Sequence, residues 1–364
     1  MILISFHLSL RPTYEIDKKM KKFKRHRDFG LWDQDIRLSK LSQLGDPLEK
    51  LNDGINFELF RELLMNKLSK SPKAPGGRPP YDYVMMFKIL ILQRYYNLSD
   101  EQVEYQINDR MSFMRFLGVT IADDIPDSRT VWNFREQLSD LSLVEELFSL
   151  FICELEKLNL IVNEGKIIDA SFVEVPRQRN SRAENAQIKA GEIPETFFDN
   201  PHKLAQKDTD ARWTKKNNIN FFGYKNHVKE DAKSKLITKY LVTDASVHDS
   251  NATAILLDDK DKGEAFFADS AYSGEPQELI IAQKGMTNQV CEKGVRNKPL
   301  TDEQIASNRE KSRIRSRVEH IFGFMENSMN EMYIQCIGIK RATAVIGLMN
   351  LTYNMFRKIQ LVAS

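Results

Sequence analysis

The feature that most constrains this chain is a change in the spacing of its apolar residues near position 160. Residues 29–160 carry apolar side chains at helical spacing, interrupted by glycine and proline. From residue 165 onward, short apolar runs typical of strands alternate with helical segments, in the order β-β-β-α-β-α-β-α. We therefore predict an all-α region followed by an α/β domain that occupies residues 161–364.

Local signals divide the first region into short helices. Residues 84–96 are apolar on nearly all sides and predict a buried helix. Ser99 begins a capping box, and Gly118 is suited to end a helix. Asp127 is suited to cap a further helix that extends to about residue 138. Three short helices joined by tight turns are typical of a helix-turn-helix unit.

Two polar residues, Arg129 and Asn133, lie four positions apart on one face of the last of these helices. Arginine and asparagine are the side chains that contact guanine and adenine edges in a DNA major groove. An ordinary solvent-exposed helix face explains the same two residues, so the sequence leaves both interpretations open.

Three acidic residues of the second region lie at positions that could form one site. Asp169 lies in the first expected strand, Asp269 ends the fourth, and Glu319 lies in a basic, helix-forming stretch. An RNase H-like sheet has this element order and places its first and fourth strands side by side. The two aspartates would then meet despite 99 intervening residues. A late helix would bring Glu319 to them, on a mixed five-stranded sheet with flanking helices.

Carboxylates are hard oxygen ligands of the kind that magnesium prefers. Two such ions can hold the attacking and leaving oxygens of a phosphoryl transfer. The sequence therefore predicts a site for two Mg²⁺ ions, for which Mn²⁺ could substitute. Each residue also has an ordinary explanation, because an aspartate at a strand end often caps a turn. Glu319 could simply pair with Arg315 one helical turn earlier.

The net charge of +2 hides basic stretches. Between positions 203 and 229 there are seven Lys or Arg residues and two Asp. Between positions 293 and 317 there are eight Lys or Arg residues and three acidic residues. This unevenness favours a polyanionic partner such as double-stranded DNA. Solvated helix faces would explain any one stretch alone.

The first of these stretches holds several candidate DNA contacts. Trp213 could stack on an unpaired base beside Lys215 and Lys216, although core packing would explain the tryptophan equally well. Lys225 and His227 alternate along an expected strand. We predict DNA contacts for all five residues, within a polar insertion at 177–218 and the strand after it.

Other features of the chain exclude some classes of protein. Cys153, Cys291 and Cys336 show neither zinc spacing nor a disulfide framework, so we expect reduced thiols in the cytoplasm. No apolar run is long enough for a membrane span. Residues 1–28 have no signal-peptide pattern, and we expect a basic, flexible arm.

Taken together from about residue 29, the chain resembles DDE transposases of the bacterial insertion-sequence family called IS-five, with a catalytic domain described as IS-four-like. The motifs that carry the resemblance are Gly-Gly-Arg-Pro-Pro-Tyr at 76–81, Pro-Asp-Ser-Arg-Thr at 126–130, Asp-Ala-Ser at 169–171, Gln-Arg-Asn-Ser-Arg at 178–182, Asp-Ala-Arg-Trp-Thr-Lys-Lys at 210–216, Phe-Gly-Tyr-Lys-Asn-His at 222–227, Thr-Asp-Ala-Ser-Val-His-Asp-Ser at 243–250 and Ala-Asp-Ser-Ala-Tyr at 268–272.

The resemblance implies that Asp169, Asp269 and Glu319 form the catalytic, metal-binding triad. It implies a Tyr-Arg-Glu-Lys motif in one helix, of which Arg315 and Glu319 match. Ser312 and Glu326 stand where the family has tyrosine and lysine, which weakens the DNA contacts expected of those two positions.

The resemblance also implies a function. The helical region 29–160 would bind DNA and dimerise, and a homodimer would bind the terminal inverted repeats of its element. Metal-dependent strand cleavage and strand transfer would follow at the nucleoid in the cytoplasm. Two alternatives stay open, a DNA-binding regulator that does not cut and an RNase H-like nuclease that does not join strands.

Overall fold

The computed structural model of the chain describes residues 30–69, 79–294 and 298–363. The expected arm at 1–28 and part of the motif at 76–81 lie outside these ranges. The chain divides into two compact units between Leu44 and Gly45. In the first unit, the described residues form helix α1 (Asp33–Gln43). All other elements belong to the second unit.

The second unit begins with helices and continues with a mixed α/β region. The first helices are α2 (Pro47–Gly54), α3 (Arg61–Leu68), α4 (Tyr83–Tyr95), α5 (Asp100–Asp109), α6 (Met111–Leu117), α7 (Ser128–Asp140) and α8 (Leu143–Lys157). The remaining elements are β1 (Lys166–Glu174), α9 (Arg182–Lys189), α10 (Glu195–Phe198), α11 (Pro201–Gln206), β2 (Arg212–Lys216), β3 (Ile219–Asp231), β4 (Ile237–Asp244), α12 (Thr253–Leu256), β5 (Ala265–Phe267), α13 (Glu275–Gln283), β6 (Thr287–Asn288), α14 (Asp302–Arg315), α15 (Glu319–Asn327) and α16 (Ile339–Ala363).

The helix signals predicted from the sequence are confirmed. The Ser99 hydroxyl accepts a hydrogen bond from the Gln102 backbone amide, and the Gln102 side chain accepts one from the Ser99 amide. Gly118 ends α6 in the left-handed conformation, with φ of 75°. The Asp127 carboxylate caps α7 at the Thr130 amide. These local interactions fix where each helix begins or ends.

The sheet formed by the described residues has six strands in the order β2-β3-β1-β5-β6, with β4 also paired to β3. Strand β1 runs antiparallel to β3 and parallel to β5, as an RNase H-like sheet requires. The sequence predicted five strands. The additional strand, β2, lies in the polar insertion and pairs with the first residues of β3. Its polar side chains hide the alternation that marks a strand.

Consecutive apolar residues in β1 are explained by burial on both faces of the sheet. Ile167 packs into a large hydrophobic core that includes residues of α2 through α8 and α16. Ile168 points the other way, into a smaller core that includes residues of α12 and α13. Residues on both sides of the predicted boundary near residue 160 therefore pack into one continuous hydrophobic core. The division into a DNA-binding region and a catalytic domain stays a prediction.

The last helix packs between other helices and the sheet. Helix α16 is buried on nearly every side from Ala342 to Phe356, because helices cover one side and β4 the other. Its buried asparagines have partners in the sheet. Asn350 exchanges hydrogen bonds with Asn226, and Asn354 bonds both backbone groups of Ile237. These bonds satisfy polar groups that would otherwise destabilise the core.

A buried carboxyl group in β3 predicts an unusual pH dependence of stability. Glu230 is fully buried, and neither carboxyl oxygen has a hydrogen-bond partner among the described residues. Burial raises the pKa of Glu230 from 4.5 to about 8. Because the folded state holds this proton more tightly than the unfolded state, stability falls as pH rises between these two values.

We expect Glu230→Gln to remove this loss. The free energy of unfolding of the natural protein should fall by roughly 3 kcal/mol between about pH 5 and pH 8, and that of the variant by clearly less. Urea titrations at the two pH values measure the difference, with the exposed Glu303→Gln as the matched control. Equal pH dependence in all three proteins would contradict the assignment.

Candidate active site

Strand register brings two of the predicted carboxylates to the same level of the sheet. Ile167 of β1 lies beside Phe267 of β5 in a parallel pair. Asp169 and Asp269 each follow two residues later, one in β1 and one just past the end of β5. Neighbouring strands lie about 4.8 Å apart. Parallel pairing therefore makes the two aspartates converge.

A break in a long helical segment places the third carboxylate. Helix α14 ends at Arg315, a 3-10 turn spans Ser316–Val318, and Glu319 begins α15. Val318 and Ile321 are fully buried and anchor this turn to the core. The side chains of Arg315 and Glu319 line the same pocket as the two aspartates.

The pocket has a volume of about 400 Å³ and a strongly polar lining. It is formed by Asp169, Ala170, Ser171, Lys216, Asp269, Arg315, Glu319, Phe322, Gly323 and Glu326. All three predicted triad residues are therefore brought together, with two basic residues among them. The fourth carboxylate, Glu326, lies two helical turns after Glu319.

Asp169 lies in an unusual electrostatic environment. Burial raises the pKa of Asp169 to about 6, and the Asp269 carboxylate acts in the same direction. The Ala170 amide, Arg315 and Lys216 oppose this shift. Arg315 Nη1 donates to Asp169 Oδ2 at 3.1 Å. The arginine is thus the counter-charge that partly offsets the burial of this carboxylate.

Asp269 combines a site position with a structural role. One carboxylate oxygen, Oδ1, accepts a hydrogen bond of 2.8 Å from the Ala271 amide and caps the 3-10 turn Ser270–Tyr272. The turn-capping alternative raised by the sequence is therefore real. Turn capping by Asp269 is compatible with metal binding by the same residue, because the capping hydrogen bond uses Oδ1 and not Oδ2.

The donor set fits a hard divalent cation, because all three candidate ligands are carboxylates. Within the described ranges, however, no group of three or more His, Cys, Asp or Glu side chains is arranged to hold a metal ion. The guanidinium of Arg315 forms an ion pair with Oδ2 of Asp169. Cation binding at Asp169 would compete with this ion pair.

The predicted DNA contacts in β2 are exposed. Lys216 lines the carboxylate pocket, and its ammonium lies 5.8 Å from the centroid of the Phe172 ring. Lys215 is exposed and Trp213 is 42% exposed. The Trp213 ring packs at 4.9 Å on Phe222, so it is partly packed and partly available.

Lys225 and His227 lie inside the protein. Lys225 Nζ donates to Val247 O at 2.6 Å and to Asp249 Oδ1 at 2.7 Å. His227 is fully buried, and its Nε2 lies 2.9 Å from the Thr243 hydroxyl. Burial lowers the pKa of His227 to about 4, so the ring is neutral near pH 7. The structure does not bring these two residues to the carboxylate pocket.

Arg129 and Asn133 are exposed on α7, as the helix-turn-helix interpretation needs. Asn133 borders a separate pocket of about 470 Å³ that also contains Tyr81, Thr130 and Gln137. Neither residue lines the carboxylate pocket.

Tyr272, which sequence analysis did not single out, is buried near the site carboxylates. Its side chain is 1% exposed, and its hydroxyl has no hydrogen-bond partner among the described residues. Burial and the nearby carboxylates of Asp169, Asp249 and Asp269 raise its pKa well above the usual value. Its position three residues after Asp269 was the available signal, because one 3-10 turn returns a side chain to the same face.

A helical region followed by an RNase H-like sheet with three carboxylates in one pocket is typical of enzymes that cut or join nucleic acid strands. Comparison with protein families gives the particular family. A family described as "Transposase DDE domain" matches residues 162–355, and "Transposase domain (DUF772)" matches residues 36–137. The chain therefore belongs to the DDE transposase family. No solved structure matched it.

Membership of this family defines the chemistry in outline. The chain is a transposase, an enzyme that acts on DNA and depends on divalent metal ions. Binding to terminal repeats and strand transfer are expected of the family. Within the described ranges, no helix is both long and apolar enough to cross a membrane.

Proposed function

We propose that Asp169, Asp269 and Glu319 are the catalytic triad and hold two Mg²⁺ ions, for which Mn²⁺ can substitute. The observation that carries this proposal is that three carboxylates, one within β1, one just after β5 and one at the start of α15, line a single polar pocket. When bound, such ions lower the pKa of water and stabilise the charge that develops on phosphorus.

The residues of the chain have separate roles in this proposal. Asp169, Asp269 and Glu319 supply hard oxygen ligands. Arg315 forms an ion pair with Asp169, and its fork of N–H donors suits DNA phosphate oxygens. Lys216 extends the positive charge to the edge strand β2.

We also propose that the DNA path includes Trp213, Lys215 and Lys216, and that Arg129 and Asn133 contact DNA from α7. Their exposure supports this assignment. Lys225 and His227 are left out because their side chains are buried.

The finer biological assignment follows from the family motifs. The motifs quoted above favour the IS-five group, and a homodimer on DNA follows because a transposase must bring two transposon ends together. We propose cytoplasmic action at the nucleoid. Size measurements on the protein with and without end-containing DNA test the oligomeric part.

The DNA path yields a direct prediction. Lys216→Ala should weaken binding to any DNA sequence and lower the slope of log affinity against log salt by about one, since one phosphate contact is lost. Fluorescence anisotropy over a range of salt concentrations measures this slope. The exposed Lys157→Ala is the matched control, because it removes the same charge from the end of α8. An unchanged slope in Lys216→Ala would remove this residue from the DNA path.

A strand-transfer assay with a pre-cut transposon end tests the function as a whole. The proposal predicts joined product that depends on Mg²⁺ and disappears with a chelator. Cleavage without joining would identify a nuclease, and binding without either reaction would identify a regulator.

A further inference from the structure

Tyr272 is a buried polar residue whose hydroxyl group is unpaired within the described ranges. The side chain is 1% exposed, and none of the described residues forms a hydrogen bond with the hydroxyl. A buried hydroxyl without a partner is unfavourable, and the large majority of buried polar groups in native proteins have one. The unpaired hydroxyl of Tyr272 therefore calls for an explanation beyond packing.

Backbone and side-chain contacts tie Tyr272 to both aspartates of the carboxylate pocket. Its amide donates to the backbone carbonyl of Asp269 at 3.1 Å, within the 3-10 turn that the Asp269 carboxylate caps. Its ring belongs to the smaller hydrophobic core, together with Ile168 and Ala268. These two residues directly precede Asp169 and Asp269. Apolar packing thus holds the ring close to the backbone that carries both carboxylates.

The charged groups around the hydroxyl are mainly hydrogen-bond acceptors. Burial, followed by the carboxylates of Asp169, Asp249 and Asp269, raises the pKa of Tyr272 well above its usual value. Among these carboxylates, Asp169 has the largest effect, and Arg315 acts in the opposite direction. The phenol therefore keeps its proton at neutral pH and is a hydrogen-bond donor placed among carboxylates.

A neutral donor suits a carboxylate that binds a cation. Arg315 Nη1 donates to Asp169 Oδ2 at 3.1 Å, and its positive charge competes with a cation for this carboxylate. A phenol donates a hydrogen bond without adding a charge, so it can orient the carboxylate and leave the negative charge for the cation. Carboxylates that bind metals are in general oriented by such hydrogen bonds.

We propose that Tyr272 is a positioning residue, whose hydroxyl donates to Asp169 in the metal-loaded site and fixes the direction of the carboxylate. The inference rests on the proposed role of Asp169 as a metal ligand. Tyr272 does not line the carboxylate pocket, so it acts through Asp169 and not on DNA. Its main effect is on metal affinity, because a carboxylate that is already oriented loses less freedom when a cation binds.

Tyr272→Phe tests this role in the full-length protein, because it removes one oxygen atom and keeps the ring. We expect the dissociation constant for Mn²⁺ to rise roughly tenfold. The melting temperature of the metal-free protein should not fall, since the lost hydroxyl has no partner among the described residues. Isothermal titration calorimetry with Mn²⁺ and thermal unfolding in the presence of a chelator measure the two effects.

Tyr224→Phe is the matched control. Tyr224 is also fully buried, but its hydroxyl donates to Asp208 Oδ2 at 2.7 Å, and neither residue lines the carboxylate pocket. In this variant the melting temperature of the metal-free protein should fall by at least about 2 °C, because a paired hydroxyl is lost. Its affinity for Mn²⁺ should equal that of the natural protein.

Two results would overturn the proposal. An unchanged Mn²⁺ affinity and an unchanged melting temperature in Tyr272→Phe would leave the hydroxyl without a role. An unchanged Mn²⁺ affinity with a lower melting temperature would make Tyr272 a structural donor, with Asp249 as its acceptor.

Asp169→Asn separates a failure of this inference from a failure of the proposed triad. If this variant binds Mn²⁺ as tightly as the natural protein, Asp169 is not a ligand and the triad itself fails. If it loses Mn²⁺ binding while Tyr272→Phe retains full affinity, only the role assigned to Tyr272 fails.

Discussion

Glu319→Gln is expected to lower strand cleavage by on the order of 10³-fold or more, about 4 kcal/mol in activation free energy, while DNA binding is retained. The amide keeps the shape of the side chain and removes the anionic ligand. Glu319 is exposed at the start of α15, so the substitution leaves the core intact. Cleavage of end-containing DNA and anisotropy with the same DNA measure the two effects.

A matched substitution separates a site effect from a general loss of charge. Glu310→Gln changes an exposed glutamate of α14, which does not line the carboxylate pocket. Its cleavage rate should stay within a factor of a few of the natural rate. Full cleavage by Glu319→Gln, or equal loss in both variants, would refute the role assigned to Glu319.

Lys229→Met should destabilise the protein by about 3–5 kcal/mol, because it leaves a buried carboxylate without its counter-charge. Lys229 is 2% exposed, and its Nζ donates to Asp261 at 2.7 Å and to Asp258 at 2.9 Å. Asp261 is also 2% exposed. These ion pairs connect β3 to the segment before β5, the strand that leads to Asp269. Urea unfolding monitored by circular dichroism measures the loss.

An exposed ion pair next to the same strand provides the control. Lys233 lies 2.9 Å from Glu164, and both side chains are more than half exposed. Lys233→Met should cost less than about 1 kcal/mol. If Lys229→Met costs no more than this, the buried network does not contribute as described.

The convergence of Asp169 and Asp269 could be predicted because it depends on topology. Each aspartate follows an apolar run that only a buried strand explains, and the order of strands determines which of them are neighbours. The parallel pairing of β1 with β5 confirms that inference. Glu319 could be predicted from its place on a late helix and from the family motif, but the 3-10 break before it leaves no clear pattern.

Sequence analysis misplaced some residues because it used the residue type and had no information on burial. Lys225 was expected at the surface, yet Asp249 and a backbone carbonyl satisfy its charge inside the protein. A buried lysine is stable only with such partners, and these come from a loop more than 20 residues away. No local pattern could reveal them.

Anomalous diffraction from crystals of the protein with Mn²⁺ tests the central claim most directly. The account predicts anomalous density in the pocket, in contact with carboxylate oxygens of Asp169, Asp269 and Glu319, and Arg315 displaced from Asp169. Manganese bound only at sites that none of these three residues touches, in protein that cleaves DNA with the same ion, would contradict it.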